Sequence, residues 1–125
     1  EATRVFYTEI LRCEVGRESD RWIDFNFYGH QITAHLSPDK ASPSATSSVD
    51  GQQVPVRHFG LVLPWEEWHL FARRLEELKV SFLIPPGLLF KGEVGEQATL
   101  FISDPSGNGL EFKSFRAMTS LFRRD

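Results

Sequence analysis

The feature that most constrains this chain is an internal echo. Phe6, Ile10, Cys13 and Val15 recur as Phe71, Leu75, Leu78 and Val80, each 65 residues further on. In both places an apolar stripe at helical spacing runs into a strand, and strand, turn and strand follow. Solenoid repeats have periods of roughly 20–50 residues, so this longer period suits a pair of similar modules instead. A chain of 125 residues can hold two such modules around a shared core, but not two independent domains. The expected class is therefore α+β. The second half reads β-α-β-β-β, and the first reads α-β-β-β. The helix of Glu1 to Leu11 has neither a capping residue nor a strand before it, which predicts that a segment upstream of Glu1 belongs to the fold.

Boundaries follow from the same reading. Residues 1–36 make the first module, with strands at 14–17, 22–27 and 30–36. In the last of these, Ile32, Ala34 and Leu36 face inward, while Gln31, Thr33 and His35 lie on a free face. Residues 37–53 are rich in Ser, Pro, Asp and Gly and read as a flexible linker. Residues 54–116 make the second module. It should contain a strand over 55–63, a helix from Trp65 with Trp68, Phe71, Ala72, Leu75 and Leu78 on one side, and a short strand over 80–84. A loop over 85–95 and strands over 97–103 and 110–115 complete it. Residues 117–125 are a tail or short helix.

Composition excludes several classes. With 41% hydrophobic and 13% aromatic residues the chain should bury a core. No stretch approaches the roughly 18 apolar residues of a membrane span. A net charge of -3 disfavours nucleic acid as a partner. The single cysteine, Cys13, allows neither an internal disulfide nor a thiolate metal cluster, which favours a cytoplasmic protein.

Of the four histidines, His30 and His69 read as structural or solvated residues. His58 and Glu111 differ. Each is embedded in a strand of the second module, and a carboxylate between Leu110 and Phe112 is poorly explained by solubility. Imidazole and carboxylate together suit a divalent ion of intermediate softness. Lys113 shares the face of Glu111 and could orient an anionic substrate.

The run Asp104-Pro105-Ser106-Gly107-Asn108-Gly109-Leu110-Glu111-Phe112 resembles the DPxGNxLEF signature of the vicinal oxygen chelate superfamily, which includes glyoxalases, bleomycin resistance proteins and extradiol dioxygenases. Phe6-Tyr7 with Ile10-Leu11 resembles its FYxxxLG helix, although Arg12 stands where glycine is usual. His58-Phe59-Gly60, Gly29-His30-Gln31 and Gly95-Glu96-Gln97-Ala98-Thr99 are similar to the group labelled predicted extradiol-type dioxygenases. The resemblance implies two βαβββ modules curling into an incomplete barrel, with the first strand of module one absent from this chain. It implies His58 and Glu111 as metal ligands, a third ligand upstream of Glu1, and His35 as a substitute ligand. Aligning Gly29-His30-Gln31-Ile32 with Gly109-Leu110-Glu111-Phe112 sets Gln31 opposite Glu111. Gln31, Thr33, His35, Gln97, Lys113, Phe90 and Phe101 are then pocket or supporting residues, and no catalytic acid or base can be assigned. The implied activity is dioxygenase chemistry at Fe(II) or Mn(II) on a small catechol-like or other vicinal-oxygen substrate. A glyoxalase-like isomerase or lyase using Ni or Zn, and a metal-free drug-binding protein, are the alternatives. A homodimer is the expected assembly.

Overall fold

The computed structural model describes residues 1–49 and 51–124. The chain divides into two compact units, the first comprising residues 1–42 and 104–107, the second residues 43–103 and those from 108 onward.

The first unit opens with helix α1 (Ala2–Val5), which continues into a wider π-helical segment, Phe6–Ile10. Its inward residues Phe6, Tyr7 and Leu11 are buried, and the Tyr7 ring stacks on Phe25 at 4.9 Å. Arg12 ends the helix at φ +58, the left-handed conformation that explains why glycine is usual in the resembling motif. Strands β1 (Glu14–Glu18), β2 (Trp22–Phe27) and β3 (His30–His35) follow as an antiparallel sheet in that order. The two-residue turn Tyr28–Gly29, both at positive φ, pairs Phe27 with His30 and so fixes Asp24 opposite Thr33. The inward face of β3 is thinner than expected, because Ile32 and Ala34 are only half-buried and Leu36 is exposed. In this unit the strand that opens the second one has no counterpart among the described residues.

The second unit begins with a departure. The segment 37–53, expected to be a flexible linker, holds β4 (Ala45–Val49) and, with residues beyond it, β5 (Gln52–Val56), an antiparallel pair. Apolar patterning could not signal it, since β4 is exposed throughout and the pair rests on its backbone ladder and a Thr46–Gln53 side-chain hydrogen bond. The strand expected over 55–63 is thereby divided, β5 closing the hairpin and β6 (His58–Val62) entering a second sheet. Helix α2 (Trp65–Glu77) buries Trp68, Phe71, Ala72 and Leu75, while Leu78 is exposed beyond its end. Strands β7 (Phe82–Leu89), β8 (Gln97–Ser103) and β9 (Gly109–Phe115) complete a sheet of order β6-β9-β8-β7, with β6 parallel to β9.

β7 runs through Pro85-Pro86-Gly87, which the sequence reading placed in a loop. It is the outermost strand, and the ladder to β8 slips between Ile84 and Gly87, so prolines lacking N–H groups are accommodated there. The C-terminal segment forms only a single 3-10 turn, Met118–Ser120. One face of the four-stranded sheet packs on α2, where the Phe71 ring lies 4.5 Å from that of Phe112 and Trp68 Nε1 donates to Phe112 O at 2.8 Å. The left-handed residue ending α2 is Lys79, 67 positions after Arg12, so the constant offset of 65 does not extend to the helix ends.

The architecture is mixed α+β, built mainly of open sheets. No helix among the described residues is long and apolar enough to cross a membrane.

Candidate functional site

The other face of the four-stranded sheet carries the polar residues. Strand alternation and register put His58, Gly60 and Val62 of β6 beside Gly109, Glu111 and Lys113 of β9, and Lys113 and Glu111 opposite Thr99 and Phe101 of β8. Two glycines allow the close approach. A Cβ at Gly60 would stand 1.6 Å from the Glu111 carbonyl oxygen, and one at Gly109 would stand 2.8 Å from the Pro55 ring.

His58 is held in one orientation. Its Nδ1 lies 2.8 Å from the Pro55 carbonyl, which can only accept, so the neutral ring carries its hydrogen on Nδ1 and leaves a lone pair on Nε2. The Phe101 ring meets the imidazole edge to face at 5.1 Å. Nε2 faces Glu111 Oε1 at 3.9 Å. Thr99 donates from Oγ1 to Glu111 Oε2 at 3.1 Å, and Lys113 Nζ lies 3.7 Å from Oε1. Oε2 is thus committed to a hydrogen bond. Oε1 faces an ammonium and an imidazole, both beyond hydrogen-bonding range.

Metal–ligand distances near about 2.1 Å allow one divalent ion to reach donors 3.9 Å apart, so Nε2 and Oε1 fit as two of its ligands. An anchored Nδ1–H and a hydrogen-bonded second carboxylate oxygen are the supports such ligands need. Among the described residues, no group of three or more His, Cys, Asp or Glu could hold an ion. His35 is exposed at the end of β3, opposite Trp22, and joins no such group.

The remaining residues singled out in the sequence fall into three places. Gln97, half-buried at the start of β8, shares the site face beyond Thr99. Phe90 stands at φ +55 just after β7 with an exposed ring, whereas Phe101 is buried against His58. Gln31 and Thr33 belong to the first unit, where both serve a carboxylate that the sequence reading did not single out. Asp24 is only 4% exposed and accepts from Thr33 Oγ1 at 2.6 Å and from Gln31 Nε2 at 3.3 Å, with Arg17 Nε 3.9 Å away. The signal was available: the turn at Tyr28–Gly29 sets Asp24 against Thr33, and a buried aspartate requires donors.

The two sequence signatures also meet within the first unit. Tyr7 donates its hydroxyl to Asp104 Oδ2 at 2.9 Å, and Asp104 Oδ1 accepts from the Ser106 amide at 3.0 Å. Burial first, then the charge of Asp104 and the hydrogen bond to it, hold the Tyr7 phenol well above its usual range. These residues build the fold rather than a reactive centre. Burial likewise pushes the Cys13 thiol up to about 11, leaving it protonated and unreactive near neutrality.

A βαβββ unit with histidine on its first strand and glutamate on its last is the architecture of the glyoxalase fold. A sequence profile of the Glyoxalase/Bleomycin resistance protein/Dioxygenase superfamily matches residues 1–112, and the chain belongs to that superfamily. A glyoxalase/bleomycin resistance protein/dioxygenase from Alicyclobacillus acidocaldarius is similar at 25% identity and a TM-score of 0.79, over 97% of this chain and 86% of that one. The fosfomycin resistance protein FosX from Listeria monocytogenes shares the fold at 15% identity and a TM-score of 0.69, over 95% and 85% of the two chains. Lactoylglutathione lyase from Agrobacterium tumefaciens does so at 15% identity and a TM-score of 0.62, over 97% and 86%. No curated protein matches the sequence.

Proposed function

We propose that this protein is a metal-dependent enzyme of the extradiol dioxygenase type, acting on a small catechol-like substrate at Fe(II) or Mn(II). The observation that carries the reading is the His58–Glu111 pair: one imidazole nitrogen anchored on Pro55, the other directed at a carboxylate oxygen that has no hydrogen-bond donor. His58 Nε2 and Glu111 Oε1 would hold the ion. When bound, it supplies Lewis acidity toward two neighbouring substrate oxygens. Thr99 keeps the carboxylate from rotating, Phe101 fixes the imidazole plane, and the half-buried face limits access of water.

An isomerase needs a carboxylate free to move protons. The first unit's buried carboxylate, Asp24, has both oxygens engaged by donors, which favours the oxygenase reading over the isomerase one. Protein loaded anaerobically with Fe(II) or Mn(II) should bind about one ion per chain and consume oxygen with catechol. His58→Ala and Glu111→Ala should lose both properties. Stoichiometric metal unaffected by either substitution would overturn the site, and metal binding without oxygen uptake would transfer the assignment to a lyase or isomerase.

A further inference from the structure

The page carries one step beyond that reading, and it rests on it. Lys113 follows Glu111 by two positions on β9, so alternation sets both on the same face. Its ammonium lies 3.7 Å from Glu111 Oε1, and its side chain is 30% exposed. Along the paired stretches of that face, His58, Gly60 and Val62 of β6, Gln97, Thr99 and Phe101 of β8, and Glu111 of β9 bring no other fixed positive charge, and Glu111 is the only carboxylate.

As folded, Lys113 and Glu111 offset each other. Oε1 is also the atom that His58 Nε2 faces, so an ion held by those two draws on the same oxygen that Lys113 faces. A divalent ion, one carboxylate and one ammonium then leave the face with a net charge of about +2. A half-buried ammonium whose counter-charge has been claimed needs another anion nearby.

We infer that Lys113 is a specificity-determining residue that receives an anionic substituent of the substrate, a carboxylate beside the vicinal oxygen pair. The preferred class is therefore a carboxylated catechol rather than an unsubstituted one. Lysine acts on a carboxylate as a point charge, without the bidentate geometry that arginine imposes, so the substituent's position is loosely constrained.

The test uses the full chain loaded with Mn(II) under nitrogen. Titration calorimetry gives the ratio of Kd for catechol to Kd for 3,4-dihydroxybenzoate. Wild type should prefer the carboxylated compound about tenfold, Lys113→Arg should keep the preference, and Lys113→Gln should abolish it. Removing the ammonium should also tighten Mn(II) itself about two- to fivefold, read by electron paramagnetic resonance, because a competitor for Oε1 is gone. Bound Mn(II) with no preference in wild type, or a preference that survives in Lys113→Gln, overturns the lysine assignment and leaves the metal site standing. Failure of the wild-type protein to bind Mn(II) overturns both.

Discussion

Gly60→Ala tests whether the close approach of β6 to β9 builds the site. The added Cβ would stand 1.6 Å from Glu111 O, 2.6 Å from its carbonyl carbon and 2.9 Å from its nitrogen. All three are backbone atoms, so no side chain can swing away. Restoring a tolerable contact requires the strands to part by about 1.4 Å, which stretches an interstrand hydrogen bond of about 2.9 Å well past its limit. Overpacking into a rigid neighbour costs about 1–3 kcal/mol or more, and each ladder bond lost adds about 1 kcal/mol. The expected loss is about 3 kcal/mol, or roughly 10 °C in Tm for a chain of this size. Because β6 carries His58, Mn(II) affinity should fall at least about tenfold in the same variant. Gly87→Ala is the control: its Cβ would meet only Pro85 O, at 3.8 Å, and the variant should melt within about 2 °C of wild type. Thermal melts followed by circular dichroism, with Mn(II) titration on the folded protein, decide the matter. A Gly60→Ala protein that melts and binds metal like wild type would refute the argument.

Two further predictions follow from polar contacts. Tyr7→Phe removes the hydrogen bond to the buried Asp104 carboxylate and should cost about 1.5–3 kcal/mol in urea unfolding at neutral pH. The folded phenol titrates above the unfolded value of 10, so wild-type stability is full below pH 10 and falls as pH rises past it. Tyr7→Phe should lack that share of the alkaline loss, and parallel pH dependence in the two proteins would remove Asp104 as the cause. Thr99→Val deletes the donor to Glu111 Oε2 while keeping the side chain's shape, and Mn(II) affinity should drop about tenfold. An unchanged affinity would mean that the carboxylate needs no such support.

What could be read from the sequence was what periodicity records. The stripe of α2 and the alternation along β9 each follow from one buried face, which is why Trp68, Phe71, Leu75, Leu110 and Phe112 emerged as core. The hairpin of β4 and β5 has almost no buried face, so its Ser- and Thr-rich strands resemble loop in composition although their backbones pair. β7 was cut short because prolines argue against a strand interior, and only its place at the sheet edge makes them tolerable. His58 and Glu111 were legible as chemistry because each breaks the apolar logic of its strand. Their supports were not: Pro55 O and Thr99 become visible only through register, which depends on parallel pairing across about 50 residues.

Register also explains why the second unit, and not the first, carries the reactive pair. With Gln31 set against Glu111, the hairpin pairings make Asp24 the counterpart of Thr99 and Thr33 the counterpart of Lys113. The diagonal hydrogen bond between the two strands is present in both units, but its direction is reversed. In the second unit the middle strand donates from Thr99 to a carboxylate on the last strand; in the first, Gln31 on the last strand donates to a carboxylate on the middle strand. The consequence lies in which oxygens are left. Asp24 has a donor on each oxygen and is nearly sealed from solvent, so it closes its own network and stabilises the sheet. Glu111 has a donor on Oε2 alone, leaving Oε1 turned toward an imidazole lone pair and an ammonium. Two acceptors facing each other at 3.9 Å repel unless positive charge lies near them, and the second unit therefore calls for a cation where the first has already satisfied itself.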